Sequence, residues 1–172
     1  MTAKEICKKF ETSEGSFYLL PYTIKKISSY GIDVPIEIAS TAKNSLFKDF
    51  SQGIYLWIHK GIIRKVGLFG EGVKSNFNSR YASYRTTSLL IEKNNGIMPE
   101  GTSNGSAKPI ETLVKNLQVN EEINIAVLPF KTRGSIAEID GVKRPIIIDL
   151  AALEEQIINK IKSKDPNQLW LK

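Results

Sequence analysis

From Gly53 to His59 the chain alternates: Ile54, Leu56 and Ile58 are aliphatic, while Tyr55, Trp57 and His59 carry polar tips. A period of two is that of a strand turning one face to a core. A second apolar run, Ile62 to Leu68, follows directly after Lys60-Gly61, so this stretch is expected to close into an antiparallel hairpin. Its register decides what the rest of the chain can be. A two-residue loop at Lys60-Gly61 would set Leu56 opposite Lys65 and bury a lysine on the aliphatic face. A three-residue loop, His59-Lys60-Gly61, gives Gly the left-handed position and sets Ile58 against Ile62, Leu56 against Arg64 and Tyr55 against Lys65. The second register is expected, because it leaves Ile54, Leu56, Ile58, Ile62, Val66 and Leu68 on one face, flawed only by Arg64. Tyr55 and Lys65 then become cross-strand neighbours with Cβ atoms roughly 5 Å apart. An ammonium beside a phenol favours the phenolate and lowers its pKa from about 10. The plainer alternative is an amphipathic hairpin whose Tyr and Lys merely extend their polar ends to water.

After the hairpin, Ser75 or Asn76 is a suitable N-cap for a helix reaching about Ile91. At 100° per residue Phe77, Tyr81, Tyr84 and Ile91 share one stripe, with Arg80 on its flank one turn from Tyr84. Such an arginine either covers the core with its stem or clamps an anion with its guanidinium. Glu92 to Lys108 is rich in Gly, Asn and Ser and reads as a long flexible loop. Ser106 is expected to cap a helix with Pro109 in its first turn and Ile110, Leu113, Val114 and Leu117 inward. Glu122 to Phe130 reads as a third strand. Ser135 to Ile148 reads as a hairpin turning at Asp140-Gly141, with Glu138 opposite Lys143 and Ala137 opposite Arg144. In the last helix, Leu150 to Lys164, an apolar arc of Leu150, Leu153, Ile157, Ile158 and Ile161 has Glu154 near its middle. A carboxylate there is costly unless it meets a metal or a cation.

The first fifty residues carry the weakest pattern. Lys4 to Phe10 suits a short helix, Phe17 to Leu20 a strand, and Tyr22 to Tyr30 a basic amphipathic helix with Ile24 and Ile27 inward and Lys25 and Lys26 outward. Residues 1–50 are therefore expected to form an N-terminal arm packed on or beside a core at 51–172, the whole making a single domain. One cysteine, Cys7, excludes a disulfide framework and a Cys-based zinc site. No run of eighteen apolar residues occurs, and the expectation is a cytoplasmic protein with no membrane partner. Twenty-four Lys and Arg against 18 Asp and Glu give a net charge of +6, which suits a polyanionic partner.

Gly53-Ile54-Tyr55, then Lys65-Val66-Gly67 ten residues after the tyrosine, then Arg80 with Tyr84 four later, and finally Glu154 after Leu153 on the last helix, resemble the GIY-YIG endonuclease superfamily. The departures are Lys65 in place of the second tyrosine and about five extra residues around Phe69 to Ser75. The resemblance covers roughly Gly53 to Pro166. It implies an α+β fold with a small antiparallel sheet of about three strands flanked by helices, to which the N-terminal helical arm and the second hairpin are additions. It implies a catalytic set of Tyr55, Lys65, Arg80, Tyr84 and Glu154, with Glu154 holding Mg²⁺, for which Mn²⁺ can substitute. It also implies hydrolysis of double-stranded DNA to 5′-phosphate and 3′-hydroxyl ends. The chain's small size and its lysine favour the compact Type II restriction members, acting as a homodimer on DNA. The alternatives are a phage-type enzyme degrading host DNA and a non-catalytic DNA-binding module. Candidate DNA contacts are Arg85, the loop residues Lys93, Asn94, Asn95, Ser103, Asn104 and Lys108, the hairpin residues Lys143 and Arg144, and Asn167.

Overall fold

In the computed structural model, which describes residues 1–10, 16–35, 52–70, 77–101, 104–130, 136–139, 141–145 and 149–171, the chain runs α1 (Ala3–Lys9), β1 (Tyr18–Lys26), β2 (Ile32–Asp33), β3 (Gln52–His59), β4 (Ile62–Phe69), α2 (Phe77–Lys93), α3 (Asn104–Asn116), β5 (Glu122–Phe130), β6 (Ile136–Ile139), β7 (Val142–Pro145) and α4 (Leu150–Lys162). Five strands form one antiparallel sheet in the order β2-β1-β5-β3-β4, and β6 and β7 form a separate hairpin. This is the expected antiparallel sheet flanked by helices, but with five strands rather than about three. Among the described residues no helix is long and apolar enough to cross a membrane.

The extra strands come from the N-terminal region. Tyr22 to Tyr30, expected as a helix, belongs instead to β1, which pairs with β5, and to the bend after it. Ile24 is buried as expected, but Ile27 is exposed and Lys26 is the buried one. The Lys26 ammonium donates to Val114 O at 2.7 Å and Leu117 O at 2.8 Å. These carbonyls end α3, where a helix favours a cation. Sheet pairing and that distant helix end override a local pattern that suits either period.

The sheet is covered on both faces. Tyr55, Trp57, Phe69, Ile123, Ile125 and Val127 share one core with Phe77, Tyr81, Tyr84 and Ile91 of α2 and Ile110 and Leu113 of α3. Ile54, Leu56, Ile58, Val66, Ala126 and Leu128 share the other with Ile6 of α1 and Leu150, Ile157 and Ile161 of α4. So β3 is buried on both sides, not half-buried, and its odd residues line a core.

The β3–β4 register differs from the expected one. His59 pairs with Ile62 across a two-residue turn in which Lys60 and Gly61 have φ of 49° and 72°, the left-handed pair that such a turn demands. A bulge then follows: Ile58 pairs with Ile63 but Trp57 with Lys65, so Arg64 is the extra residue. Leu56 therefore faces Val66, and Tyr55 faces Gly67 rather than Lys65. The bulge lets a short turn coexist with an unbroken aliphatic face.

Elsewhere α2 runs on to Lys93 and ends in an Asn94–Gly96 turn, with Gly96 at φ 87° donating its N–H to Ile91 O at 2.8 Å. The expected caps Ser75 and Asn76 lie outside the described residues. Helix α3 starts at Asn104, not at a Ser106 cap, and the Ser106 hydroxyl instead meets that of Ser83 on α2 at 2.8 Å. The β6–β7 register is the expected one, with Glu138 opposite Lys143 and Ala137 opposite Arg144. Edge strand β2 pairs with β1 and is also fastened to α2: the Ser88 hydroxyl donates to Ile32 O at 3.0 Å and accepts from Ile32 N at 3.2 Å. Ser88→Ala leaves both buried groups without that partner and is expected to cost about 1–3 kcal/mol, read as a lower urea midpoint with an unchanged slope.

Candidate active site

Tyr55 points from β3 into the aromatic core, and the opposite residue on β4 has to be a glycine. A Cβ on Gly67 would collide with the Tyr55 ring and lie 2.5 Å from its hydroxyl oxygen. Because Gly67 yields this space, the phenol crosses β4 and its Oη meets Tyr84 Oη at 2.7 Å. One strand position away, Trp57 Nε1 donates to Tyr81 Oη at 3.1 Å. The rings of Tyr55 and Tyr81 lie 5.9 Å apart, those of Trp57 and Tyr84 5.9 Å and those of Tyr81 and Tyr84 5.5 Å, all edge to face. Each such pair adds about 0.5–1.5 kcal/mol beyond burial, so the cluster is rigid as well as dry.

Two cations enter this aromatic box. Lys65 Nζ lies 5.2 Å from the Tyr55 ring centre and 5.6 Å from that of Trp57, and donates to Val66 O at 3.2 Å. Arg80 places its Cζ 5.2 Å from the Tyr84 ring centre, and its Nε is buried with no hydrogen-bond partner among the described residues. Glu154, half-buried on α4, is near enough for its charge to act on both Tyr55 and Lys65. Helix α4 packs against β4, and Asp149 caps it by accepting from Ala152 N at 2.9 Å. Of the expected set, Tyr55, Lys65, Arg80 and Tyr84 are thus brought together, and the Glu154 charge acts on Tyr55 and Lys65.

The electrostatics differ from the expectation. Burial raises the Tyr55 pKa, with Arg80 and the Tyr84 hydroxyl opposing it, so the phenol is held neutral rather than tipped toward phenolate. Burial also raises Tyr84, and it is on Tyr84 that the Lys65 charge acts to lower the pKa. Tyr81 is raised well above the ordinary value, again by burial. Burial lowers Lys65, partly offset by Tyr84 and Glu154. For Arg80 burial acts downward, but Tyr84 and Tyr55 more than offset it. The acids are made weaker and the lysine's ammonium more acidic, which sets Tyr84 above Lys65, the reverse of their ordinary order.

Of the candidate DNA contacts, Arg85, Lys93, Asn94, Asn95 and Lys108 are exposed on α2, the turn after it and α3. Asn94 Nδ2 donates to Ile97 O at 2.9 Å, and Asn95 has φ 52°. Asn104 opens α3, Lys143 and Arg144 lie on β7, and Ser103 is outside the described residues. Asn167 is exposed beyond α4, its N–H donating to Asp165 Oδ1 at 3.0 Å. The residues that sequence reading left in the background are Gly67 and Tyr81, which set where Tyr55 and Trp57 come to rest. The available signal was that Trp57 follows Tyr55 on the same strand face while Tyr81 precedes Tyr84 on the same helix face.

No family model matches the chain, and no curated protein matches it. Among solved structures it overlaps a restriction endonuclease, HPY188I, in complex with product DNA, at 14% identity over 98% of this chain and 83% of that one, with a TM-score of 0.43. That overlap is too loose to carry an argument about chemistry.

Two outcomes follow from the geometry. The phenols of Tyr55, Tyr81 and Tyr84 ionise later in the folded chain than in the unfolded one, so the folded state binds more protons above pH 10 and loses stability as pH rises there. Lys65 acts the other way, its burial cost easing as pH rises toward 10.5. Absorbance at 295 nm should therefore show these three tyrosines titrating only above pH 10, and the triple Phe variant should flatten the alkaline fall in Tm. Gly67→Ala should displace the Tyr55 ring, seen as a changed near-ultraviolet circular dichroism spectrum with far-ultraviolet signal retained.

Proposed function

We propose that the chain is a divalent-metal-dependent endonuclease that hydrolyses double-stranded DNA, of the GIY-YIG type and nearest in design to compact Type II restriction enzymes. The observation that carries this reading is the meeting of two phenol oxygens at 2.7 Å beside a guanidinium whose buried Nε has no hydrogen-bond partner among the described residues. A core needs none of this. An unpaired buried donor is costly, and a phosphate oxygen is the acceptor that a guanidinium fits best.

The donor set fits a hard cation only sparingly. Among the described residues no group of three His, Cys, Asp or Glu could hold a metal ion, so Glu154 would be its one protein ligand, with water and phosphate oxygens completing the shell. When bound, Mg²⁺, with Mn²⁺ able to replace it, supplies positive charge to the phosphate and a more acidic water. Arg80 and the Tyr84 hydroxyl bind the non-bridging oxygens of the scissile phosphate and stabilise the charge that develops on them. Tyr55 Oη orients the attacking water and accepts its proton in the fraction of molecules whose phenol is ionised. That fraction is small at neutral pH, because burial raises Tyr55, and Lys65 enlarges the ionised fraction of the coupled phenol pair through its effect on Tyr84. The rate should therefore rise with pH across the neutral range. The products carry 5′-phosphate and 3′-hydroxyl ends, and a double-strand cut by single-site chains requires a homodimer on the DNA. Arg85, Lys93, Lys108, Lys143 and Arg144 are the proposed backbone and groove contacts.

Incubating the purified protein with long unmethylated DNA and Mg²⁺ tests the reading. Discrete fragments that disappear without metal and in Glu154→Gln are expected, with Arg80→Ala slowing cleavage about 10²–10³-fold. Lys65→Met should move the pH profile to higher pH; an unshifted profile at full rate removes the lysine from the mechanism. A smear would point to unspecific degradation, and DNA left intact on many templates, yet bound, to a non-catalytic binding module.

A further inference from the structure

On the sheet face away from the tyrosines, a cavity of about 190 Å³ opens between α1, α4 and the β3–β4 turn. Its floor is apolar: Ile6, Ile63 and Ile161 are each 3% exposed, and Phe10 packs against the same core. Its rim is cationic, with Lys9, Lys160 and Lys164 all exposed, and among the described residues none that lines it is acidic. Among the described residues none of these lysines has a carboxylate within 4 Å, whereas Lys60 on the nearby turn is paired with Glu121. Glu5, which feels the Lys9 charge, already accepts from Thr2 N at 2.7 Å in the capping box of α1. Lys160 is held over the cavity mouth by the Phe10 ring, its Nζ 5.7 Å from the ring centre.

We propose that this cavity binds a small anionic amphiphile, a carboxylate on an aliphatic body of about six to eight carbons. The chemistry of the lining selects it. An inorganic anion would leave the apolar floor wet, and a neutral hydrocarbon would leave three lysines without a counter-charge. The carboxylate sits among Lys9, Lys160 and Lys164, and the body replaces water over Ile6, Ile63 and Ile161. Bound there, the ligand bridges α1 to α4. The site is independent of the nuclease chemistry, since Lys160 and Ile161 lie two turns along α4 from Glu154.

Titration calorimetry of the full chain with butanoate, hexanoate and octanoate tests this, with octanol, inorganic phosphate and anionic phosphatidylglycerol vesicles as comparison arms. One saturable site per chain is expected, affinity rising about threefold to fourfold per methylene until the cavity is full. Octanol and phosphate should bind at least about tenfold more weakly than octanoate, and Lys160→Glu and Lys164→Glu should each weaken octanoate about tenfold. The remote Lys115→Glu should leave it unchanged. Non-saturable octanoate heats, equal affinity for phosphate, or an unaltered affinity in both rim variants would overturn the proposal. So would sedimentation with vesicles in the absence of octanoate binding, which assigns the lysines to a lipid surface.

Discussion

The structure depends on β3 being buried on both faces while turning the polar-ended Tyr55 and Trp57 into the aromatic core. Tyr55 and Trp57 are both buried, and an unmet polar group in a core costs about as much as a whole hydrogen bond contributes. Helix α2 meets both, Trp57 through Tyr81 and Tyr55 through Tyr84. The pairing is crossed: the later helix residue takes the earlier strand residue. Two bonds in that order fix the direction of the helix relative to the strand as well as its rotation, and Arg80, on the same turn as Tyr84, is carried into place with them.

The dryness that makes these bonds strong also sets the chemistry. Phenols in such a setting are poor acids, and burial pushes Tyr55, Tyr81 and Tyr84 all upward. The lysine and the arginine beside them resist this, and Glu154 partly balances the lysine. A cluster with two cations and one nearby carboxylate is better matched to an anion than to water. That match is what separates the tyrosine pair from an ordinary aromatic core, which holds no guanidinium against its phenols.

Much of this was legible in the chain. The stripe of Phe77, Tyr81, Tyr84 and Ile91 follows from helical period alone, and all four are buried. Strand β5 and the β6–β7 register follow from alternation and from the Asp-Gly turn signal. Tyr22 to Lys26 was misread because Ile24 and Ile27 satisfy a helix while Ile24 and Lys26 satisfy a strand, and what decides is remote: pairing with β5 and the α3 carbonyls that accept from Lys26. The neutral Tyr55 was misread for a related reason. Spacing shows which charges are neighbours, but not how much water remains around them, and here burial outweighs the cation.

The bulge at Arg64 connects the hairpin to everything else. A two-residue turn continued in plain register would pair Trp57 with Arg64 and Leu56 with Lys65, turning the lysine into the aliphatic core beside Ile161 and removing Gly67 from beneath Tyr55. One extra residue reverses this for the rest of β4. An extra residue needs a reason to stay, and the segment after α4 provides it. Trp170 N donates to Arg64 O at 2.8 Å, Arg64 Nη1 donates to Gln168 O at 3.1 Å, and the guanidinium lies 5.4 Å from the Trp170 ring centre. Gln168 Nε2 adds a bond to Ile63 O at 3.2 Å. Residues at the far end of the sequence thus hold the register that puts Lys65 on the tyrosine side of the sheet, and Leu171 and Trp170 of that segment pack with the same aromatic core.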